Sequence, residues 1–344
     1  MSTENILLIG ATGLIGGSVL TCLLNPSHPQ LKSTRLSALI RNRDQGDTLA
    51  SLGVKPILFN SLDEIDLLEQ QAREHDVVLH CGDGSHRPSG EAIIKGLGQR
   101  QKETGRRTFY IRTSGTGGIA DRRISKRYIE TRELSDKENI YAYEKYRESI
   151  ESFPSRNVDI AVIDAGEQAG VETYIIMSPL VYGCGSGLFN KRSMQIPAII
   201  RSAQEWGYVG YVGDGTAEFD HVHVLDLAAL YELLLAKIIS GVPVPSGKAG
   251  IFFSAAGRHS WRDLADGIAE AGFKLGALAS AMSKEISIEK AAPAWTGGLS
   301  DFVEIGFGSR ATTRADVARD LGWEPRRTEA DWQAAFLEEW QCRP

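Results

Sequence analysis

Tyr141 and Lys145 are two side chains whose spacing suggests chemistry. They stand four residues apart in the run YAYEK, so on a helix both lie on one face, one turn apart. A phenol has an ordinary pKa near ~10, and a neighbouring cation lowers that pKa by stabilising the phenolate. The spacing therefore predicts that Tyr141 exchanges a proton with a carbonyl or alcohol oxygen, with Lys145 as its cationic neighbour.

A cluster of hydroxyl groups in the run RTSGTGG offers a partner for this phenol. Thr113, Ser114 and Thr116 follow a predicted strand at residues 108–112. A hydroxyl at the end of a strand can share the substrate oxygen with Tyr141, although Ser, Thr and Gly are also common in ordinary turns. We predict Ser114 as the catalytic hydroxyl, with Thr116 as the alternative.

A glycine-rich turn, GATGLIG at residues 10–16, lies between an apolar strand and an apolar helix. Gly10 permits a tight turn, Gly13 lets the backbone approach a pyrophosphate, and Gly16 lets helix and strand pack closely. The helix start offers free N–H donors and the positive end of a dipole. This turn predicts a dinucleotide site, and Lys145 is then expected to bond the nicotinamide ribose as well.

The end of the second strand carries Arg41 and Arg43 and no acid before Asp44. A carboxylate at this point suits a free ribose 2′-hydroxyl, whereas a cation suits a 2′-phosphate, and arginine can grip phosphate in a bidentate manner. We predict NADP(H) in preference to NAD(H). The alternative is that both arginines merely solvate a loop.

Alternating strands and helices must position these groups. Short apolar runs predict parallel strands at residues 5–10, 36–40, 56–59, 76–80, 108–112 and 173–177. Helical segments separate them, including residues 14–24, 139–152 and 159–169. This alternation predicts an α/β chain with a Rossmann-type doubly wound parallel sheet, whose strand carboxyl ends share one edge where ligands bind.

The second half of the sequence is less regular and predicts a smaller substrate-binding region interleaved with the sheet. Residues 1–180 and about 218–256 are assigned to the NADP(H)-binding domain, and about 181–217 and 257–344 to the substrate-binding region. Residues 181–219 are Gly-rich and predicted to be loop-like around one helix. Trp206, Tyr208 and Tyr211 are expected to line or cover the pocket, which favours an apolar or aromatic substrate.

Composition excludes several classes of protein. The 344 residues carry a formal net charge of −6, which makes a nucleic-acid partner a poor fit. The cysteines Cys22, Cys81, Cys184 and Cys342 are scattered, which indicates neither a metal site nor a disulfide framework and favours the cytoplasm. Residues 6–24 lack charge, but glycines interrupt them and no Lys or Arg precedes them, so no membrane anchor is expected.

Together the motifs resemble the extended or atypical short-chain dehydrogenase/reductases. They are GATGLIG, the Tyr141–Lys145 pair, SPLVYG at residues 178–183, GDGTAEFDHVHVLDLAALY at residues 213–231 and GWEP at residues 322–325. They span nearly the whole chain. Within that family the sequence is similar to nucleoside-diphosphate-sugar epimerase-like and dihydroflavonol-reductase-like members.

The resemblance implies a set of site residues. The pyrophosphate would be cradled by Gly10, Thr12, Gly13, Leu14, Ile15 and Gly16, with Arg41 at the 2′-phosphate. Asn60, Ser61 and Leu62 would border adenine, Cys81 and Gly82 would lie beneath the middle of the cofactor, and Pro179, Leu180 and Val181 would face the nicotinamide. Tyr141 and Lys145 would be catalytic. His223 and Asp226 match a segment that orders the substrate-side helix. The resemblance also implies a homodimer through the helices at residues 139–152 and 159–169.

Departures from the family pattern guide the choice of function. Gly115 stands where a third hydroxyl is common, Asn60 where an acid is common, and Met177-Ser178 where sugar-nucleotide members often have Phe-Asn. The absent Asn favours an NADP(H)-dependent oxidoreductase that acts on the carbonyl or alcohol of a small, apolar or aromatic metabolite. The alternatives are a sugar-nucleotide epimerase or dehydratase with tightly bound NAD(P), and a non-redox isomerase or NADP(H)-binding sensor.

Overall fold

A seven-stranded parallel sheet forms the centre of the molecule in the computed structural model, which describes residues 4–341. Numbered in chain order, its strands are β1 (Asn5–Ile9), β2 (Arg35–Ile40), β3 (Lys55–Leu58), β4 (Val77–His80), β5 (Phe109–Gly115), β7 (Glu172–Ser178) and β11 (Ile251–Phe253). They lie in the order β11-β7-β5-β4-β1-β2-β3. The apolar runs form inner strands because helices cover both faces of the sheet; Ile6–Ile9, for example, are almost wholly buried. The predicted fold class is confirmed.

Helices connect and cover these strands. They are α1 (Leu14–Leu24), α2 (Arg43–Ser51), α3 (Ile65–Arg73), α4 (Arg87–Thr104), α5 (Ile140–Ile150), α6 (Pro154–Ala169), α7 (Gln195–Trp206), α8 (Val224–Ile239), α9 (Trp261–Lys274), α10 (Ile288–Trp295), α11 (Ser300–Phe307), α12 (Asp316–Asp320) and α13 (Glu329–Gln341). Helix α1 begins and ends where the sequence predicted. The uncharged stretch at residues 6–24 is therefore a strand, a turn and a helix, and no helix within residues 4–341 is long and apolar enough to span a bilayer.

Residues 181–219 hold more regular structure than the predicted loop. The remaining strands are β6 (Leu134–Ser135), β8 (Leu180–Tyr182), β9 (Gly210–Val212), β10 (Glu218–His223), β12 (Gly257–Ser260), β13 (Lys284–Ile286) and β14 (Thr313–Arg314). Strand β10 joins β8 and β12 in one small sheet, and β9 pairs with β13 and β14 with β6. Most of these strands have two or three residues, too few for a period-two pattern to be read from sequence.

Two buried apolar clusters reflect the interleaving of the chain. One surrounds the large sheet and the other unites α7, α9, α10, α11 and α13. Helix α8 and β11 belong to the first cluster, as the predicted division expects, but so does Trp323, from the segment assigned to the substrate region. Cys342 lies outside the described residues. The domain boundaries stay a prediction.

Candidate functional site

The crevice of the large sheet lies between the carboxyl ends of β1 and β4. From β1 the chain continues to β2 and β3 on one side, whereas β4, β5 and β7 are added on the other. At such a switch point the connecting helices leave in opposite directions and open a crevice, where open α/β sheets bind ligands. The glycine turn follows β1, and Cys81 and Gly82 follow β4, so both border this crevice.

The geometry of the glycine turn requires glycine at two positions. Gly10 has φ +88°, and a Cβ added there would stand 2.7 Å from the carbonyl carbon of Cys81. A Cβ on Gly16 would stand 2.2 Å from the carbonyl oxygen of Gly10. Gly13 is the N-cap of α1 and brings no side chain to cap the helix, and the first turn holds no acid. The first N–H groups of α1 are therefore available to an anion.

The arginines after β2 stand free at the same edge. Arg41 directly follows β2 and Arg43 is the first residue of α2. Both are exposed, and within residues 4–341 neither makes an ion pair with an acidic side chain. The Asn42 side chain between them caps α2 by accepting from the N–H groups of Asp44 and Gln45. Two unpaired guanidinium groups thus flank a helix start beside the crevice.

The other predicted cofactor contacts also follow strand ends. Asn60, Ser61 and Leu62 come after β3, where the Asn60 N–H donates to Glu64 at 2.9 Å. The Cys81 N–H donates to the carbonyl oxygen of Ile9 at 2.9 Å, which ties the end of β4 to the end of β1. Pro179, Leu180 and Val181 connect β7 to β8. The parallel sheet brings all these positions to one edge.

A pocket of about 420 Å³ opens beyond the ends of β5 and β7. Its floor includes Gly115, Thr116 and Ser178, and the second cluster supplies its aromatic walls. Those walls are Phe153, Phe219, Trp295, Phe302 and Phe307. The side chains that line it are apolar or neutral and polar; none carries a formal charge. The pocket therefore suits an uncharged, flat, apolar molecule.

Two hydroxyl groups at the end of β5 have different surroundings. Gly115 has an extended backbone, with φ −128° and ψ 142°, so Ser114 and Thr116 lie on the same side of the chain. The Ser114 hydroxyl donates to the carboxylate of Asp159 on α6. Thr116 is fully buried and lines the pocket, and its Oγ1 has no hydrogen-bond partner among the described residues. Both hydroxyls that the sequence singled out thus lie at or beside the pocket.

The structure does not bring Tyr141 and Lys145 to this pocket. They do share one face of α5, with the Lys145 ammonium 5.5 Å from the centre of the Tyr141 ring. However, the Tyr141 hydroxyl donates to Asp164, ten residues along α6 from its start at the pocket, which is about 15 Å at 1.5 Å per residue. The Lys248 ammonium, just before β11 at the amino edge of the sheet, lies 5.4 Å from the same ring.

The surroundings of Tyr141 also act against proton donation. Burial and the hydrogen bond to Asp164 raise the pKa of Tyr141, whereas the sequence predicted that Lys145 would lower it. Lys145 itself borders a separate groove between α4, α5 and α6. The spacing of Tyr141 and Lys145 correctly predicted that both lie on one helix face. It could not show how α5 packs against α6.

The walls of the pocket come from segments that sequence patterns left unassigned. Trp206, Tyr208 and Tyr211 are not among the lining residues; Trp206 lies behind Trp295, with ring centres 6.4 Å apart. Trp295 belongs to α10, which contains Pro293, and α11 has only eight residues. Short helices of this kind carry little periodicity, so the one available signal was the local richness in Trp and Phe.

Comparison with known proteins independently supports the family that the motifs predict. The model of the NAD dependent epimerase/dehydratase family matches residues 6–244. The chain is 28% identical over 338 residues to an Acremonium sp. protein named oxidase ucsJ, covering 94% of this chain and 93% of that protein. It is 26% identical over 340 residues to the uncharacterized Saccharomyces cerevisiae protein YLL056C, covering 94% and 95%.

Among solved structures, the fold resembles the dTDP-glucose 4,6-dehydratase DesIV of Streptomyces venezuelae, crystallised with NAD. The TM-score is 0.65 at 17% identity, over 98% of this chain and 97% of that one. At this level of identity the likeness concerns the fold alone. The family match, by contrast, spans more than half of the chain and includes both the glycine turn and the ends of β5 and β7.

Proposed function

The chain belongs to the NAD dependent epimerase/dehydratase family and is an enzyme of the short-chain dehydrogenase/reductase type, and from that premise we propose a specific reaction. The protein transfers a hydride between NADP(H) and the carbonyl or alcohol carbon of an uncharged, apolar or aromatic metabolite. The observation that carries this proposal is the pocket at the ends of β5 and β7, which has aromatic walls, no charged lining group, and an unpartnered Thr116 hydroxyl in its floor.

The residues at the crevice fit a dinucleotide. At Gly10 and Gly16 a Cβ would collide with backbone, and the start of α1 offers uncapped N–H groups without an opposing acid. Residues 10–16 would hold the pyrophosphate, while Cys81, Gly82 and Pro179 would border the rest of the molecule. When bound, the nicotinamide would supply or accept the hydride. The exposed, unpaired Arg41 and Arg43 support NADP(H) over NAD(H).

The double substitution Arg41→Ala and Arg43→Ala tests this preference. Each charge-assisted hydrogen bond to a phosphate is worth about 2 kcal/mol, so the Kd for NADPH should rise by at least about 30-fold. The Kd for NADH, which has no 2′-phosphate, should stay unchanged. Calorimetric titration of both nucleotides measures the two constants. Equal losses for both, or none for either, would remove the case for a 2′-phosphate contact.

The substrate class follows from what the pocket contains. Its walls can stack against a flat ring system, and four residues with hydroxyl groups line it, Thr116, Ser155, Ser178 and Thr296. A nucleoside diphosphate would need cations opposite its phosphates, and no arginine or lysine within residues 4–341 lines this pocket. Incubation with NADPH and a panel of aromatic ketones and quinones, followed by the loss of nicotinamide absorbance, tests the proposal. Reduction of none of them would contradict it.

A sugar-nucleotide epimerase or dehydratase is the second candidate, favoured by the family match. In such a reaction the cofactor is recycled within one active site. Protein purified without added nucleotide would then retain NAD(H) and turn over a sugar nucleotide without external cofactor. Mass analysis of copurifying molecules distinguishes the two candidates.

The placement of Tyr141 leads to a further expectation. Because its hydroxyl is held by Asp164 far from the pocket, Tyr141→Phe should change turnover by less than about twofold, as substitutions outside a site usually do. The lost hydrogen bond should lower the free energy of unfolding by about 1 kcal/mol. Steady-state kinetics and urea denaturation measure these effects. A loss of turnover by orders of magnitude would return Tyr141 to the catalytic role that its spacing predicted.

We also propose that the chain forms a homodimer through α5 and α6. A groove between α4, α5 and α6 exposes Ile160 and Ala165 among charged side chains. Light scattering should give twice the 37.5 kDa mass of the chain. Ile160→Asp, which places a charge in the groove, should reduce this to the mass of one chain, because an unpaired charge opposes the docking of an apolar face. A wild-type monomer would contradict the proposal.

A further inference from the structure

Two carboxyl groups, those of Glu144 on α5 and Asp159 on α6, are fully buried in the protein. Their side chains interact directly with each other. In the part of the chain that the structure describes, no N–H or hydroxyl group donates to either oxygen of Glu144. An ionised carboxylate that receives no hydrogen bond is very costly in such a place. The neighbouring carboxyl group is therefore the partner that must stabilise the Glu144 side chain.

Several ionisable groups face this pair. The Arg112 guanidinium on β5 lies 3.2 Å from Asp159, and the buried Arg156 on α6 adds a second positive charge while also binding Glu148. The other neighbours are neutral phenols, Tyr110 on β5 and Tyr141 on α5. Arg112 and the hydroxyl of Ser114 both favour the ionised form of Asp159. If one of the two carboxyl groups is ionised, it is therefore Asp159.

One proton must therefore be shared by the two carboxyl groups, because two adjacent carboxylates cannot both be ionised in a buried site. Burial, followed by the negative charge of Asp159, raises the pKa of Glu144 well above its ordinary value. Glu144 then donates a hydrogen bond to Asp159. The result is a continuous chain of polar groups that begins at Glu144, passes through Asp159, and ends at the hydroxyl of Ser114.

This chain lies next to residues that line the pocket at two points. Ser114 lies two residues before Thr116 on the same side of an extended backbone, and Thr116 lines the pocket. Asp159 lies one helical turn below Ser155, another lining residue at the start of α6. Glu144 itself abuts the turn at residues 116–118, since its Oε1 is 3.9 Å from the place of a Cβ on Gly118. The carboxyl pair thus lies directly behind the pocket floor.

We propose that Glu144 and Asp159 store the proton that the reaction consumes or releases, and that Ser114 passes it between this pair and the substrate oxygen. The proposal rests on the oxidoreductase function proposed above. It gives the pocket, whose lining has no titratable side chain, a source of protons that does not involve Tyr141.

The transfer balances as follows. Reduction of a carbonyl adds a hydride to carbon, supplied by the reduced nicotinamide, and a proton to oxygen. The C=O π bond breaks, and the Ser114 hydroxyl turns from Asp159 to the substrate oxygen, which takes its proton. Ser114 recovers a proton from Asp159 as Asp159 takes the one held by Glu144. A proton from water reaches Glu144 in the same step, so the pair keeps one proton throughout. Oxidation of an alcohol runs the same steps in reverse.

Glu144→Gln tests the relay because the amide keeps the size of the side chain and removes its exchangeable carboxyl proton. With phenanthrenequinone and NADPH as the probe, turnover should fall by about 100-fold, the lower range for the loss of a general acid. The wild-type rate should decline as pH rises through the pKa of the pair, and this decline should vanish in the variant. Asp159→Asn and Ser114→Ala should show the same loss.

Glu339→Gln is the matched control. Glu339, on α13, is also a buried carboxyl group with a raised pKa, and the hydroxyl of Ser193 donates to it at 3.0 Å. It should leave the rate and its pH dependence unchanged. A Glu144→Gln variant with the wild-type rate and pH profile would overturn the relay and leave the proposed function standing.

Infrared spectroscopy separates the relay from the proposed function. At neutral pH the difference spectrum of wild type minus Glu144→Gln should show the carbonyl absorption of one protonated carboxylic acid. This measurement requires no turnover. If wild-type protein neither binds NADPH in a calorimeter nor reduces the probe, the proposed function fails, and the relay with it. The absence of the infrared band would overturn the relay whatever the kinetics show.

Discussion

Gly13→Asp is expected to abolish tight binding of NADPH without harming the fold. Gly13 is the N-cap of α1 in an extended conformation, with φ −86° and ψ 175°. A Cβ there would meet only the carbonyl oxygen of Gly10, at 3.4 Å, and aspartate is among the residues preferred at an N-cap. The new carboxylate, however, would occupy the place proposed for the pyrophosphate and repel it.

The expected size of this effect comes from the charges involved. Two like charges about 4 Å apart near a protein surface repel by about 4 kcal/mol, so a rise in Kd of at least about 100-fold is expected. Gly13→Ser is the control, because serine caps a helix without a charge and should weaken binding far less. Calorimetric titration gives the Kd, and thermal denaturation should show an unchanged or higher Tm. Undiminished affinity in the aspartate variant would mean that α1 does not meet the phosphates.

Thr116→Val is expected to lower turnover by about 100-fold while the protein remains as stable as the wild type. The two side chains have the same shape, and Oγ1 of Thr116 is buried without a hydrogen-bond partner. Removing an unsatisfied buried hydroxyl costs little or even stabilises. If this hydroxyl donates to the substrate oxygen as negative charge develops there, its loss should reduce kcat in the manner of a lost oxyanion donor.

Thr173→Val provides the matched control for this second variant. Thr173 is also fully buried with an unpartnered Oγ1, but it lies near the amino end of β7, at the opposite edge of the sheet. Its substitution should alter neither turnover nor KM. Steady-state kinetics on both variants, with urea denaturation for stability, complete the comparison. Equal effects of the two substitutions would show that Thr116 acts on the packing of the sheet and not on the substrate.

The fold and the sheet edge that carries the glycine turn could be predicted from sequence because their signals are local. The run NILLIGATGLIG combines an apolar strand, a turn, and an apolar helix. Gly10 is required by its positive φ, and Gly16 by the lack of space for a Cβ. Alternation of such units leaves one topology, a doubly wound parallel sheet. That topology then places the strand-end residues, from Arg41 to Thr116, on one edge without further information.

The pocket and its chemistry could not be predicted in the same way. The Tyr141–Lys145 spacing is a property of one helix, and it holds in the structure. Whether that face meets the pocket depends on how α5 packs against α6, which no local pattern encodes. The aromatic walls come from α10, α11 and residues far apart in the chain, and the Glu144–Asp159 pair joins two helices through side chains that sequence gave no reason to associate.

By itself, then, the amino-acid sequence determined the sheet, the glycine turn after β1 and the hydroxyl groups after β5, because each depends on residues that are neighbours along the chain. The tertiary structure alone decided which titratable groups stand behind the pocket, that Tyr141 bonds to Asp164, and that Phe and Trp from α10 and α11 close over Thr116. The physical reason is that packing between distant helices is set by the summed burial of many side chains, and no single motif specifies it.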